Sequence, residues 1–262
     1  MSASSSIQWT DATWNPTRGC TKISSGCREC YAEIFAERFR GVVGHPYEFG
    51  FDPRIVPEKV TEPLFWATPR RIFVNSMSDL FHDAFDDDYL ERVCQVMEVA
   101  NWHNFQILTK RPERMRRLLE GRLAFAAALP HVWWGVSVEN NRQGVPRIEL
   151  LRQTPSCVRF LSIEPLLEQL QPMDLTSISL VILGGESGLG ARPILRPWVR
   201  AIRDQCAAEN VTFFFKQWGG VRPGLTGRLL DGRTHDDLPA HLARPVLPRA
   251  ERDAAAARLA WS

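Results

Sequence analysis

Hydrophobic residues in this chain occur in short runs that are separated by polar clusters and by helical patterns. Several runs are apolar at successive positions, which is typical of parallel strands covered on both faces. Six strands are predicted: Arg71–Asn75, Phe105–Thr109, Val132–Ser137, Val158–Ser162, Leu180–Gly184 and Val211–Lys216. An earlier strand is expected within Ile7–Trp14.

Helical patterns follow several of these runs. Residues 88–101 place apolar side chains at the helical period behind acidic cap residues. Further helices are predicted at Pro112–Leu119, Pro146–Arg152 and around Trp198–Cys206. This alternation predicts an α/β protein with a single full or partial (β/α) barrel of six to seven mostly parallel strands. A doubly wound open sheet is the alternative.

The residue composition of the chain changes near its C-terminal end. Gly, Pro and Arg dominate from Gly219 to about Pro248, and an Ala- and Arg-rich helix is expected at Ala250–Leu259. We therefore predict a barrel domain at residues 1–220 and an irregular C-terminal extension at residues 221–262.

Composition and charge indicate which broad class of protein the chain belongs to. The 262 residues are 44% hydrophobic and 24% charged, which fits a globular domain. The net charge of +2 is too small to indicate nucleic-acid binding by bulk electrostatics. No run approaches the roughly 18 apolar residues of a membrane helix, and Met1–Ser6 does not read as an export signal. We expect a cytoplasmic protein with no membrane partner.

Three of the six cysteines are clustered. Cys20, Cys27 and Cys30 form a C-x6-C-x2-C pattern directly after the first predicted strand. The C-x2-C spacing lets two thiolates converge on one ion or cluster. Cys94, Cys157 and Cys206 lie on or beside apolar elements, so we expect them to be small core residues.

The ligand count bears on the identity of the metal. Structural zinc usually has four protein ligands, and no fourth ligand is evident near residues 20–30. An iron–sulfur cluster held by three cysteines leaves one iron open. The spacing favours a cluster, while zinc and plain thiols remain alternatives.

The chain resembles a known family in motifs that occur from about Ile7 to Pro239. The resemblance is carried by IQWTDATWNPTRGCTKISSGCRECYAE (7–33), VNSMSDLFH (74–82), ILTKRPERM (107–115), VWWGVSVEN (132–140), RFLSIEPLL (159–167), VILGGESG (181–188), FFFKQWGG (213–220) and LLDGR (229–233). These resemble the three-cysteine-motif proteins first noted in bacteriophages and widespread in bacteria. That family is regarded as radical S-adenosylmethionine-like and distantly related to spore photoproduct lyase.

The resemblance implies a [4Fe–4S] cluster on Cys20, Cys27 and Cys30, with S-adenosylmethionine bound at its open iron. It further implies reductive cleavage to a 5′-deoxyadenosyl radical that abstracts hydrogen from a substrate. The chain departs from the commonest radical-enzyme pattern, C-x3-C-x2-C, by three extra residues in the first gap. Its aromatic residue, Tyr31, also follows the last cysteine instead of preceding it.

Polar residues close every predicted strand. In a (β/α) barrel the active site lies at the carboxyl ends of the strands, so these residues would face one opening. The candidates for binding S-adenosylmethionine are Asn75, Ser137, Glu139, Glu164, Gly184, Gly185, Glu186 and Lys216. The carboxylates would bind the amino group of methionine or the ribose hydroxyls. Polar loops and internal ion pairs are the structural alternative.

Three functions are consistent with these residues. The first is a radical S-adenosylmethionine enzyme acting on an unknown small-molecule or nucleic-acid substrate, with a partner protein encoded nearby as a further expectation. The second is a non-catalytic module that holds zinc or a cluster and binds nucleic acid or a partner protein. The third is a hydrolase that uses Glu164 or Glu186 with Asp79 as acid and base.

Overall fold

The computed structural model describes residues 5–242 and 244–261. The prediction that Met1–Ser6 is not an export signal falls partly on residues 1–4, which lie outside the described residues. The strands are β1 (Ala12–Trp14), β2 (Thr17–Arg18), β3 (Arg54–Ile55), β4 (Arg71–Val74), β5 (Asn104–Thr109), β6 (Val132–Ser137), β7 (Val158–Ile163), β8 (Leu180–Gly184) and β9 (Thr212–Gln217).

One sheet of seven parallel strands organises the fold. Its strand order is β1-β4-β5-β6-β7-β8-β9, so each strand pairs with the next one along the chain apart from the β2/β3 ribbon. The sheet forms a half-barrel, and its strand order lacks the reversal that a doubly wound sheet has. The predicted α/β class and partial (β/α) barrel are confirmed.

Eight helices lie within the described residues, and all of them except the first and the seventh contribute to the apolar layer on the outer face of the sheet. They are α1 (Tyr31–Glu37), α2 (Asp87–Val99), α3 (Pro112–Glu120), α4 (Ala124–Ala127), α5 (Val145–Gln153), α6 (Arg196–Ala208), α7 (Pro223–Thr226) and α8 (Arg249–Leu259). Short 3-10 turns occur at Ser25–Cys27, Pro57–Lys59 and Glu62–Phe65. None of the helices described over residues 5–242 and 244–261 is long and apolar enough to cross a membrane.

The two faces of the sheet carry separate apolar layers. The outer layer joins strand residues such as Ile107 and Val136 to the buried faces of the helices. The inner layer is aromatic and includes Trp9, Trp133 and Phe160. Apolar side chains therefore cover both faces, which explains why the strands are apolar at successive positions.

The region predicted as a C-terminal extension packs on the outer layer. Ala255, Ala256 and Leu259 of α8 belong to the same core cluster as α2. Trp261 meets Tyr89 of α2 edge-on, with ring centroids 5.0 Å apart. The division of the chain at residue 220 stays a prediction.

The prediction that Cys157 is a core residue is wrong. Its side chain is exposed, whereas Cys94 and Cys206 are buried as expected. Cys157 precedes the first residue of β7, at the end of the strand opposite the cavity described below, where its exposed thiol donates to the Ala128 carbonyl at 3.4 Å.

Candidate functional site

A cavity of about 520 Å³ lies at the carboxyl ends of the parallel strands. Apolar side chains, including Ile7, Trp9 and Phe73, form part of its wall. The polar residues that end six consecutive strands also line it, because parallel strands present their carboxyl ends at one edge. These residues are Asn75, Thr109, Ser137, Ser162, Glu164, Gly185, Glu186, Lys216 and Gln217.

The clustered cysteines line the same cavity. Cys20, Cys27 and Cys30 are half-buried, and none forms a disulfide. They lie on residues 20–30, which we call the cysteine loop. The loop follows β2, contains the 3-10 turn and ends where α1 begins. The Tyr31 hydroxyl at the start of α1 donates to the Ser76 carbonyl beyond β4, which joins the end of the loop to the sheet.

Arg111 holds the first part of the cysteine loop. Its Nη1 donates to the Cys20 Sγ at 3.5 Å and to the Asp79 Oδ2 at 3.0 Å. Its Nη2 donates to the carbonyl oxygen and to the hydroxyl of Thr21, at 3.3 and 3.1 Å. The Asp79 and Arg111 side chains are only 9% and 11% exposed, so the pair is largely removed from solvent.

Arg192 holds the middle of the loop from the other side of the cavity. Its Nη2 donates to the Ser25 carbonyl at 3.0 Å, while its Nε donates to the Glu186 Oε2 at 2.8 Å. Two side chains that follow β6 bind Ser25 as well: the Asn140 amide donates to the Ser25 hydroxyl, and the Gln143 amide oxygen accepts from the Ser25 backbone. The loop is thus positioned by residues that follow β5, β6 and β8.

The protein environment acts differently on the pKa values of two of the cysteine thiols. Burial raises the pKa of Cys20 to about 11, and Asp79 adds to the rise while Arg111 opposes it. Burial also acts against ionisation of Cys27, but the charge of Lys110 and hydrogen bonds from Ile23 and Ser24 outweigh it. The pKa of Cys27 is therefore lowered, as expected for a metal-binding or reactive thiol.

The donor set fits an iron–sulfur cluster. Three unpaired thiols on one loop supply the soft ligands that iron–sulfur clusters and zinc prefer. Over the described residues, no three His, Cys, Asp or Glu side chains are already close enough together to hold a metal ion. A single metal ion would therefore require the three sulfurs to move together, whereas in a [4Fe–4S] cluster each thiolate binds a different iron.

Glu164 and Lys216 form an ion pair on the cavity wall. The Lys216 Nζ lies 2.9 Å from the Glu164 Oε1, and the Ser162 hydroxyl donates to the other carboxylate oxygen at 3.1 Å. The side chains remain 16% and 23% exposed, so a ligand in the cavity can reach them. The ion pair considered from the sequence is present, and its position at the cavity also allows a binding role.

Asn75 and Ser137 both line the cavity. Asn75 has a positive φ of 60°, a left-handed conformation that asparagine adopts more readily than other residues with a side chain. Its Oδ1 accepts from the Thr17 backbone at 3.4 Å, whereas its buried Nδ2 has no partner among the described residues. An unpaired buried donor at the cavity wall is available to a ligand.

Two of the predicted binding residues serve mainly to shape the wall, and a third lies outside it. Gly184 leaves room for Glu164, because a Cβ at Gly184 would lie 2.9 Å from its Oε1. A Cβ at Gly185 would lie 2.1 Å from the Trp218 carbonyl oxygen. Glu139 is fully buried, pairs with Arg147 at 2.7 Å and is not among the residues that line the cavity.

Sequence reasoning did not single out Arg192 and did not include Arg111 in the candidate binding site. No sequence signal marks Arg192, since it reaches Ser25 across 167 positions of the chain. Both contacts depend on how the loops approach one another in space.

Comparisons with known proteins identify the family. A family model described as "Protein of unknown function (DUF5131)" matches residues 4–239. The chain belongs to the DUF5131 family. No curated protein matches the chain. The specific resemblance to bacteriophage three-cysteine-motif proteins stays a prediction.

Two solved structures of spore photoproduct lyase share distant similarity with this DUF5131 chain. One is a variant with bound AdoMet and dinucleoside spore photoproduct, at 13% identity and a TM-score of 0.43, covering 74% of this chain and 60% of the lyase chain. The other, complexed with dinucleoside spore photoproduct, has 13% identity and a TM-score of 0.41, covering 72% and 58%. The chain thus spans about 60% of the length of the lyase chains it matches.

Proposed function

We propose that this DUF5131 protein is an iron–sulfur enzyme that binds S-adenosylmethionine in the cavity. The observation that carries the proposal is that Cys20, Cys27 and Cys30 line the same cavity as the polar ends of the strands. A metal site and a small-molecule site at one opening of a half-barrel form a compact arrangement for chemistry on a bound substrate.

The three cysteine thiolates would hold the [4Fe–4S] cluster, and the amino and carboxylate groups of S-adenosylmethionine would occupy the iron that lacks a protein ligand. When bound, the cluster would supply the electron for reductive cleavage of S-adenosylmethionine. The cavity of about 520 Å³ lies within the size range of small-molecule sites.

The residues of the strand ends would bind and orient the cofactor. Glu164 would accept hydrogen bonds from the amino group of methionine or from the ribose hydroxyls, and Lys216 would hold that carboxylate in place. The free Nδ2 of Asn75 would donate to an oxygen of the ligand. The apolar wall near Trp9 and Phe73 would keep water from the reacting atoms.

Anaerobic reconstitution tests the proposal. Wild-type protein incubated with iron and sulfide should acquire about four irons and four sulfides per chain and a brown chromophore. Added S-adenosylmethionine and dithionite should then yield 5′-deoxyadenosine. An intact cluster that releases no 5′-deoxyadenosine would remove the radical reaction.

Metal analysis of the anaerobically purified protein tests the non-catalytic alternative. About one zinc per chain without sulfide would indicate a structural zinc module instead of an iron–sulfur enzyme. The proposal further includes a substrate, which is either a nucleic acid or a small molecule, and a partner protein encoded nearby. Binding assays with the reconstituted protein would test both.

A further inference from the structure

The contact between Arg111 and Cys20 has a consequence beyond holding the loop. Arg111 follows β5, directly before Pro112 of α3, so its backbone is attached to two regular elements. Its guanidinium is the side-chain donor that reaches the Cys20 Sγ in the described part of the chain, at 3.5 Å. A fixed cation at a sulfur ligand is a means of tuning a cluster.

Asp79 fixes the direction of this guanidinium. The Asp79 carboxylate accepts from the Thr109 hydroxyl at 2.7 Å and from the Lys110 backbone at 3.1 Å, in addition to Arg111. A buried ion pair is stable only when its remaining polar groups are paired, and this network meets that condition on the carboxylate side. The Phe81 backbone also donates to this carboxylate at 3.0 Å, so a turn of Arg111 away from Cys20 would leave Asp79 with neutral donors only and without its ionic partner.

We infer that Arg111 is a positioning residue that raises the reduction potential of the cluster through its contact with the Cys20 sulfur. This inference rests on the proposed function. Uptake of one electron adds one negative charge to the cluster, and a nearby cation with an N–H donor stabilises the reduced form more than the oxidised form. The potential of the wild-type protein is accordingly higher than that of a protein without this cation.

Arg192 provides a matched control within the same chain. It also pairs with a strand-end carboxylate, Glu186, and also donates to a carbonyl of the cysteine loop. Its hydrogen bonds among the described residues are to Glu186 and Ser25, and none is to a sulfur. Loss of Arg192 thus removes an anchor of the loop without removing a donor to a cluster ligand.

The test is a redox titration of reconstituted protein with dithionite, followed by electron paramagnetic resonance, on wild type, Arg111→Gln, Arg111→Lys and Arg192→Gln. At the wild-type midpoint, Arg111→Gln should lower the ratio of reduced to oxidised cluster about tenfold, a shift of about 59 mV to more negative potential for one electron. Arg111→Lys keeps the charge and should shift less. Arg192→Gln should change the ratio by less than about threefold, on the same scale.

A second measurement does not depend on the cluster. Hydrogen exchange of the metal-free proteins should become faster in residues 20–30 for both Arg111→Gln and Arg192→Gln, because each variant loses an anchor of the loop. Arg111→Gln and Arg192→Gln should then differ in reduction potential although the loop opens equally in both. A purely structural role of Arg111 would not produce this difference.

The outcomes separate this inference from the proposed function. A wild-type protein that takes up no cluster overturns the proposed function and the tuning role with it. If the wild-type protein takes up a cluster but both Arg111 variants have the wild-type midpoint potential, the tuning role alone is overturned. If Arg111→Gln does not retain a cluster, Arg111→Met replaces it as the variant without the cation, and a wild-type midpoint in Arg111→Met contradicts the inference.

Discussion

Five of the six cysteines lie in two regions whose environments act on the thiol in opposite ways, and the exposed Cys157 lies outside both. Cys20, Cys27 and Cys30 are half-buried on the cysteine loop and line the cavity. Cys94 on α2 and Cys206 on α6 are fully buried in the outer apolar layer. A thiol can react or bind a metal only where it is accessible and has polar groups nearby, and the cysteine loop meets both conditions.

Charge explains the contrast further. Near the cavity, Lys110 and hydrogen bonds lower the pKa of Cys27 against the effect of burial. In the outer layer, burial raises the pKa of Cys206 to about 12 and that of Cys94 also well above its ordinary value. The outer cysteines therefore stay protonated and pack as small apolar residues.

Loss of the loop cysteines should have the largest effect. The triple variant Cys20→Ala, Cys27→Ala and Cys30→Ala should lower the iron content from about four per chain to near zero. The matched control is the triple variant Cys94→Ala, Cys157→Ala and Cys206→Ala, which removes as many thiols. Iron and sulfide analysis after reconstitution, with circular dichroism to confirm folding, measures the effect. Equal iron in both variants would contradict the division into two regions.

Alkylation of the metal-free protein should separate the two regions next. Iodoacetamide should modify Cys27 and Cys30 in the folded protein, and the exposed Cys157 serves as an internal standard. Cys94 and Cys206 react only after unfolding, so their rates should be slower by about 10³-fold or more. Peptide mass spectrometry over time measures the rates. Fast modification of Cys94 would show that the outer layer opens readily.

Acid should weaken the outer layer through His103. Burial lowers the pKa of His103 to about 4, and its imidazole contacts the Pro63 carbonyl at 3.2 Å. Between pH 6.5 and 4 the unfolded chain binds a proton that the folded protein does not, so stability is lost as the pH falls through this window. The free energy of unfolding should decrease by about 3 kcal/mol.

Urea unfolding at several pH values measures this decrease. His103→Gln keeps a donor for the Pro63 carbonyl and removes the titrating group, so its stability should depend less on pH over the same window. An equally steep dependence in this variant would assign the acid sensitivity to other groups.

Single cysteine substitutions should give the smallest effect. Cys94→Ala or Cys206→Ala leaves a small void in a dry layer and should cost about 1–2 kcal/mol of unfolding free energy. Cys157→Ala is the control and should change stability by less than about 0.5 kcal/mol, because its thiol is exposed. Urea unfolding at pH 7 compares the three variants. An equal loss of unfolding free energy in Cys157→Ala and Cys94→Ala would contradict the distinction between buried and exposed cysteines.

Much of the fold could be predicted because local patterns determine it. All seven strands of the main sheet lie at or within a few residues of the predicted runs, since each run is apolar enough to require cover on both faces. The β2/β3 ribbon and α1 were not predicted. The ribbon has two residues per strand, too short for a periodic pattern, and α1 leaves Tyr31, Ile34 and Phe35 exposed.

For the site, the sequence by itself determined which residue types are present and where they fall along the chain: three clustered cysteines and a polar group at the end of each strand. Only the tertiary structure decided that Arg111 and Arg192 reach the cysteine loop and that Glu139 lies buried behind Gly26 of that loop, paired with Arg147. The physical reason is distance along the chain. Apolar periodicity is a local property, whereas an ion pair or a hydrogen bond between loops depends on where folding of the whole sheet brings them together.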